Sequence, residues 1–162
     1  MGSENKQERA LEVYRQICGA LDTRDWKYRS DESDLHIHTG AQGDDLPMDI
    51  EIYVEASKYL VLLLSPLPFV IPEDKRLEMA VLVSAANDMM VDGCFDYDIK
   101  TGRTFFRRTF CYYDSTISHD VILYMLLSSC KTVDDFNDTF FALSKGIFSM
   151  EECLAKINQL GN

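Results

Sequence analysis

An apolar run, a cluster of prolines, an apolar helix and a hairpin follow one another between residues 58 and 112. This order constrains the fold more than any other feature of the chain. Residues 59–64 are apolar without interruption, which is typical of a central strand covered on both faces. Prolines follow at positions 66, 68 and 72. Because proline donates no ladder hydrogen bond, we expect strand pairing to end there.

The segment 73–92 has a helical pattern that is apolar on more than one side. Glu73 and Asp74 are suited to the positive end of the helix dipole. A helix with apolar residues this far round is predicted to be buried on two sides, against the sheet and against a second helix or a partner subunit. The sequence leaves open which of the two covers it. The candidate interaction surface consists of Met79, Leu82, Val83, Ala86 and Met90.

The remaining segments alternate between helical and strand patterns. Residues 5–22 and 118–145 have helical periodicity, the latter as one helix or two, and a capping box at Ser149 and Glu152 predicts a last short helix. Strands are predicted over 26–30, 35–39 and 48–55, and a hairpin joins 95–99 to 103–112, with Gly102 in its turn. Phe105 and Phe106 leave open which face of the returning strand is inward.

These patterns predict an α+β fold, with an antiparallel sheet of about five strands and helices packed on it in the order α-β-β-β-α-β-β-α, and they leave open whether a fourth strand precedes the second helix. A chain of 162 residues is long enough to bury a substantial core, so we expect one domain over residues 1–162. Residues 1–5 are predicted to be disordered, because they are polar and precede the first periodic segment.

Charge and cysteine content predict the compartment and exclude several classes of partner. The net charge of −11 disfavours nucleic acid and anionic lipid, and no apolar run is long enough to span a membrane. The five cysteines form no CxxC pair, so neither a disulfide framework nor a zinc site is indicated. Together with a polar N-terminus that does not resemble a secretion signal, these features predict a cytoplasmic protein.

No group of residues predicts a catalytic, metal or cofactor site. His36 and His38 point to one face of a strand, as a metal site needs, but no third ligand can be named and both are expected to be solvated. Asp96 and Asp98 lack the glycine and glutamate positions of a calcium loop. The Ser128-x-x-Lys131 spacing, without the other elements of a penicillin-recognising enzyme, is interpreted as chance.

Several motifs together resemble those of the bacterial YbjN-like family, whose members are labelled sensory-transduction regulators. They are FVIPEDKR at 69–76, Ala86-Asn87, GCFDYD at 93–98 and Gly102-Arg103, followed by Phe140, Gly146 and SMEE at 149–152. This resemblance implies a compact α+β fold similar to type III secretion chaperones. Such chaperones are homodimers that bind an extended segment of a partner protein. The family provides no catalytic residues that could be assigned to this chain.

The sequence therefore supports two hypotheses about function. The first is a non-enzymatic cytoplasmic binding or regulatory domain that acts by protein–protein contact and forms a homodimer, with a protein partner that the sequence does not identify. The alternative is a small metal-dependent or small-molecule-binding enzyme that uses His36 and His38.

Overall fold

The computed structural model describes the backbone of residues 3–160 and the side chains of residues 5–160. Four helices and six strands alternate along the chain, and a 3₁₀ turn, Glu73–Lys75, precedes the second helix. The helices are α1 (Ser3–Asp22), α2 (Arg76–Met89), α3 (His119–Ser144) and α4 (Met150–Leu160). The strands are β1 (Tyr28–Asp31), β2 (His36–Gln42), β3 (Pro47–Glu55), β4 (Leu60–Val70), β5 (Cys94–Asp98) and β6 (Arg103–Cys111).

The six strands form one antiparallel sheet in the order β1-β2-β3-β4-β6-β5. This arrangement confirms the predicted α+β class. Four strands precede α2, so the sheet has six strands rather than about five. Helix α1 already includes residues 3–5, which were predicted to be disordered, whereas residues 1 and 2 lie outside the described part of the chain.

The helices pack on one face of the sheet, and the core lies between these two layers. Ile52, Val61 and Leu63 of the sheet meet Ile17 of α1 and Leu126 of α3 there. The side chains on the opposite face of β4 are only half-buried or exposed. The apolar run 59–64 does belong to a central strand, but the prediction that both of its faces are covered was wrong. Its residues alternate between the core, at Val61 and Leu63, and the uncovered face.

The prolines end strand pairing on one side of β4 only. Pairing with β3 stops at Leu64, which lies opposite Glu51. Pairing with β6 continues past Pro66 to Val70, with a shift of register between these two residues. Strand β4 therefore reaches Val70, beyond the predicted end of the strand, because a proline that turns its nitrogen away from a neighbouring strand removes no hydrogen bond there.

The boundaries set by local signals are as predicted. Helix α3 is one continuous helix, capped by the Ser118 hydroxyl, which accepts a hydrogen bond from the Val121 amide. Ser149 and Glu152 form the expected capping box at the start of α4. Gly102 has a φ of 76° in the hairpin turn, and a β-carbon there would meet the Ile71 carbonyl oxygen.

Asn87 closes the outer edge of the sheet at β5. Its side-chain amide donates to the Phe95 carbonyl oxygen at 3.0 Å, and its side-chain oxygen accepts from the Phe95 amide at 2.8 Å. The Asn87 side chain thus occupies the place that a neighbouring strand would take. Covering an edge in this way protects a sheet against pairing with other chains.

Replacing Asn87 with alanine is expected to lower the free energy of unfolding by about 2 kcal/mol, because two hydrogen bonds to a strand edge are lost. The freed edge is also expected to promote concentration-dependent association. Urea denaturation and light scattering measure the two effects. Glu151→Gln, an exposed change in α4, is the control. Equal urea midpoints and equal scattering for Asn87→Ala and wild type would show that Asn87 does not protect the edge.

Candidate functional site

The uncovered face of the sheet, called the open face below, carries a continuous apolar stripe. Every second residue of β4 points to this face, and all six of these residues are apolar: Leu60, Leu62, Leu64, Pro66, Pro68 and Val70. The three leucines are half-buried by neighbouring strands, whereas Val70 is 54% exposed. We call these six residues the β4 stripe. A contiguous apolar surface of this kind marks a binding surface more often than an isolated exposed leucine does.

Two grooves follow the β4 stripe, one near each end. The first has a volume of about 540 Å³ and is lined by Leu60 and Leu62 together with Tyr53, Glu55 and Arg107, among others. The second, of about 760 Å³, is lined by residues 66–70 together with side chains of the β5–β6 hairpin, including Phe105. Because of these grooves the open face is not flat, and a bound molecule could place side chains on both sides of the stripe.

Strand β3 borders the stripe with carboxylates. Asp49, Glu51 and Glu55 point to the open face, and β3 contains no lysine or arginine. Glu51 lies opposite Leu64 in the register, but its carboxylate is turned toward the histidines of β2. Tyr53 also points to the open face, between Glu51 and Glu55, and its side chain extends the apolar surface.

The two histidines predicted to be a chemical pair also lie on the open face, beyond β3. His36 Nε2 is 2.5 Å from a carboxylate oxygen of Glu51, and the imidazole stacks on Tyr53 with ring centres 4.5 Å apart. His38 Nε2 is 3.7 Å from the other carboxylate oxygen of Glu51, and its Nδ1 is 3.2 Å from Arg29. These contacts hold both imidazoles half-buried beside the carboxylates of β3. The prediction that the two histidines are solvated was therefore wrong.

The histidine pair does not form a metal centre with its neighbours. Among the described residues 3–160, no group of three histidine, cysteine, aspartate or glutamate side chains is arranged to hold a metal ion. The enzyme alternative based on His36 and His38 therefore gains no support from the geometry.

On the other side of the stripe the charges neutralise one another. Arg107 makes a bidentate pair with Asp96, at 2.5 and 3.1 Å, and this hydrogen bonding raises the pKa of the guanidinium. The Cys94 thiol lies 3.4 Å from Arg107, but burial raises its pKa, so it is not an activated thiolate. Because Arg107 and Asp96 cancel, the β6 side of the stripe is much less acidic than the β3 side.

The other motifs that were considered have structural partners. Asp98 accepts from the Lys100 amide and the Thr101 hydroxyl, which fixes the hairpin turn. Ser128 donates to the Tyr124 carbonyl oxygen, while Lys131 pairs with Asp135 one turn further along α3, so the serine and lysine do not act together. Burial raises the pKa of the Cys130 thiol to about 11, which makes it unreactive at neutral pH.

The residues predicted as an interaction surface on α2 are covered by the chain itself. Met79, Leu82, Val83 and Ala86 are buried, and Met90 is half-buried, because α2 packs on β5, α3 and α4. The predicted burial on two sides is confirmed, because α2 packs on the sheet at β5 and on helices of the same chain, while Leu77 and Val81 remain 74% and 46% exposed on the remaining side. The exposed side of α2, called the outer stripe below, consists of Leu77, Ala80, Val81, Ser84, Ala85 and Asp88.

An acidic cluster on α3 makes stability depend on pH. Asp138 lies near Asp45, Asp44 and Asp134, and its pKa is raised to about 6, first by partial desolvation and then by the hydrogen bond and charge of Asp45. The ordinary value is 3.8. The folded state therefore holds this proton more tightly than the unfolded state does, and it loses stability as the pH rises from about 4 to about 6.

Asp138→Asn is expected to raise the free energy of unfolding at pH 7 by about 1 kcal/mol, because it removes this repulsion. The value is discounted from the roughly 3 kcal/mol that a two-unit pKa shift represents, since the side chain is exposed. The gain should vanish below about pH 4, where wild type is protonated in both states. Denaturant melts at pH 4 and pH 7 measure it. Asp135→Asn, which removes the Lys131 ion pair instead, should not raise the free energy of unfolding at either pH. An increase for Asp138→Asn that is as large at pH 4 as at pH 7 would contradict the account.

Comparison with known proteins bears on the fold. No protein-family model matches the sequence, and no curated protein matches it. Among solved structures, the chain is similar to the crystal structure of YbjN from E. coli, a proposed transcription regulator, with a TM-score of 0.56 over 76% of this chain and 85% of that chain. The chain has a YbjN-like fold. Sequence identity to YbjN is 13%, so the likeness confirms the predicted fold and carries no residue roles.

Between residues 3 and 160, no helix combines the length and the apolar character needed to cross a bilayer.

Proposed function

We propose that the chain is a non-enzymatic binding or regulatory domain that acts by contact with a partner protein. The observation that carries the proposal is the β4 stripe on a sheet face that none of the helices described between residues 3 and 160 covers. Sheets bury an apolar face against a second layer, and in this molecule the second layer on the open side is absent from residues 3–160. A partner protein would supply it.

The description of YbjN, the protein of similar structure, also supports a regulatory role. YbjN is described as a proposed transcription regulator. Direct contact with DNA is not part of our proposal, because the chain carries a net charge of −11 and its open face is bordered by carboxylates. Regulation through a second protein is compatible with this charge. Five free thiols support action in a reducing compartment, for which the cytoplasm is our proposal.

Homodimerisation is the second part of the proposal, and the outer stripe of α2 is its site. Its six positions are symmetric about the middle of the helix, so two antiparallel copies would place Ala80 against Ala85 and Val81 against Ser84 of the other copy. Small residues at these positions let two helix backbones approach closely. A symmetric pair of this kind is the commonest form of protein dimer.

Sedimentation velocity at micromolar concentration tests the dimer. We expect wild type to sediment as a dimer and Val81→Glu to sediment as a monomer, because the glutamate would be buried at the centre of the helix pair. Tyr124→Glu, on the exposed side of α3, is the matched control and should stay dimeric. A wild-type chain that is monomeric throughout this range would remove the dimer from the proposal.

Affinity capture from a lysate of the source organism tests the protein-binding function. A specific partner should be recovered by wild type and by Tyr124→Asn, but lost on Leu62→Asn, which places a polar group in the β4 stripe. Thermal melts of both variants check that they are folded. A partner that is recovered equally well by the Leu62→Asn chain would contradict binding through the open face.

A further inference from the structure

We propose that the open face binds an amphipathic α-helix of the partner protein, with basic residues along the side of the helix that faces β3. This inference rests on the proposed protein-binding function and specifies the chemistry of the partner. It follows from the length of the β4 stripe, the hydrogen bonding of the sheet's backbone and the distribution of charge beside the stripe.

The β4 stripe has the length of a long helix. Ten residue steps separate Leu60 from Val70, which corresponds to about 33 Å of extended strand. A helix that covers this distance contains about 22 residues. Its apolar side chains could enter the two grooves, of about 540 and 760 Å³, that follow the stripe near its two ends.

The backbone of the sheet favours a helix over an extended segment. Over Leu60–Leu64, β4 is paired on both sides, with β3 and with β6, so this part of the open face offers side chains and no free backbone groups. An extended segment lying on the face would leave its own amides and carbonyls without partners, whereas a helix satisfies them internally. Addition of a strand at the β5 edge is opposed by Asn87, which already bonds both backbone groups of Phe95.

The charges beside the stripe determine which side of the bound helix should carry basic residues. Asp49, Glu51 and Glu55 border the stripe on the β3 side, whereas Arg107 on the β6 side is neutralised by Asp96. Lysine or arginine on one side of the incoming helix would face the exposed carboxylates of Asp49 and Glu55. A second copy of this chain fits less well, because its own open face would bring the same carboxylates to the interface and each copy has a net charge of −11.

Three synthetic peptides of about 22 residues, matched to the length of the β4 stripe, test the proposal. All have the same leucine stripe; the first has lysines on one flank, the second has glutamates at those positions, and the third keeps the lysines but has two central prolines that prevent a helix. Fluorescence anisotropy with the full chain measures their affinity. We expect the lysine helix to bind at least about tenfold more tightly than either of the others, an advantage of about 1.4 kcal/mol, and to weaken with added salt.

Variants of the chain locate the binding. Leu62→Gln combined with Leu64→Gln should weaken the lysine helix about tenfold or more, and Glu51→Gln combined with Glu55→Gln about three- to tenfold, with a shallower dependence on salt. The second pair keeps the proposal testable if the leucine pair fails to fold, since Glu55 is exposed. Tyr124→Gln with Leu127→Gln, both exposed on α3, and Glu8→Gln with Glu151→Gln are matched controls away from the open face, and both should change affinity by less than about twofold.

Each alternative occupant gives a different result. Equal binding of the proline-containing peptide would show that an extended segment is the occupant, and equal binding of the glutamate helix would overturn the basic polarity. Loss of wild-type self-association in the Leu62/Leu64 variant would identify a second copy as the occupant and overturn the proposal. If the captured native partner depends on Leu62 but the lysine helix does not bind, this inference fails and the proposed function stands. If neither binds, both fail.

Discussion

Phe95→Ala is expected to lower the free energy of unfolding by about 4 kcal/mol, the largest effect of any single substitution considered for this chain. Phe95 is 2% exposed and is the ring that connects the sheet to α3. Its ring centre lies 5.4 Å from that of Phe106 and 5.1 Å from that of Phe140, both in edge-to-face geometry. Alanine would remove these contacts and leave a cavity that rigid neighbours on both layers cannot fill.

Thermal and urea denaturation measure this effect, and a loss of about 4 kcal/mol corresponds to a melting temperature lower by roughly 8–16 °C. Phe105→Ala is the matched control, since Phe105 is the neighbour of Phe106 in β6 but lies half-buried on the open face. It should cost about 1 kcal/mol, because less apolar area is lost. Equal losses for Phe95→Ala and Phe105→Ala would show that the core does not lie on the helical side of the sheet.

Arg108→Ala is expected to lower the free energy of unfolding by about 3 kcal/mol. The Arg108 side chain is 5% exposed on the helical face of the sheet, and burial lowers the pKa of its guanidinium. It donates to the Met125 carbonyl oxygen at 3.1 Å and to the Ser128 hydroxyl at 2.5 Å, and it pairs with Asp92. Alanine would remove the hydrogen bonds and leave a space between β6 and α3.

A second substitution separates packing from charge at this position. Arg108→Met fills most of the volume and removes the buried charge, so it should cost only about 1 kcal/mol. Asp92→Asn retains the guanidinium but removes its counter-ion, and it should cost about 2 kcal/mol despite the exposure of Asp92. Urea denaturation of the three variants measures these values. If Arg108→Met is as damaging as Arg108→Ala, the charged hydrogen bonds rather than the filled volume stabilise the contact.

The features that sequence reasoning found are those set by neighbouring residues. The Ser118 cap, the Ser149–Glu152 capping box and the glycine turn at Gly102 depend on a few adjacent side chains, so their positions could be predicted closely. The strand pattern of β3 was equally clear, because its polar and apolar residues alternate between Met48 and Val54, with Tyr53 as the one exception.

Which face of an apolar element is covered could not be found in this way, because it depends on contacts between distant parts of the chain. In α2, Met79 and Leu77 are both large apolar residues, and the sequence does not distinguish them. Only Met79 packs in the core. In β4, an uninterrupted apolar run hides an alternation between core residues such as Leu63 and open-face residues such as Leu62. The signal that could have identified the β4 stripe is its continuation through Pro66, Pro68 and Val70 with the same two-residue spacing.

The central claim is that a partner protein covers the open face. Its most direct test is photo-crosslinking in the cells of origin, with a photoreactive amino acid placed at Leu62 and, as a control, at Tyr124 on the exposed side of α3. The account predicts a covalent adduct to a different protein at position 62, with a helical segment of that protein as the site of attachment, and none at position 124. Adducts at position 124 alone, or only adducts between two copies of this chain at position 62, would contradict it.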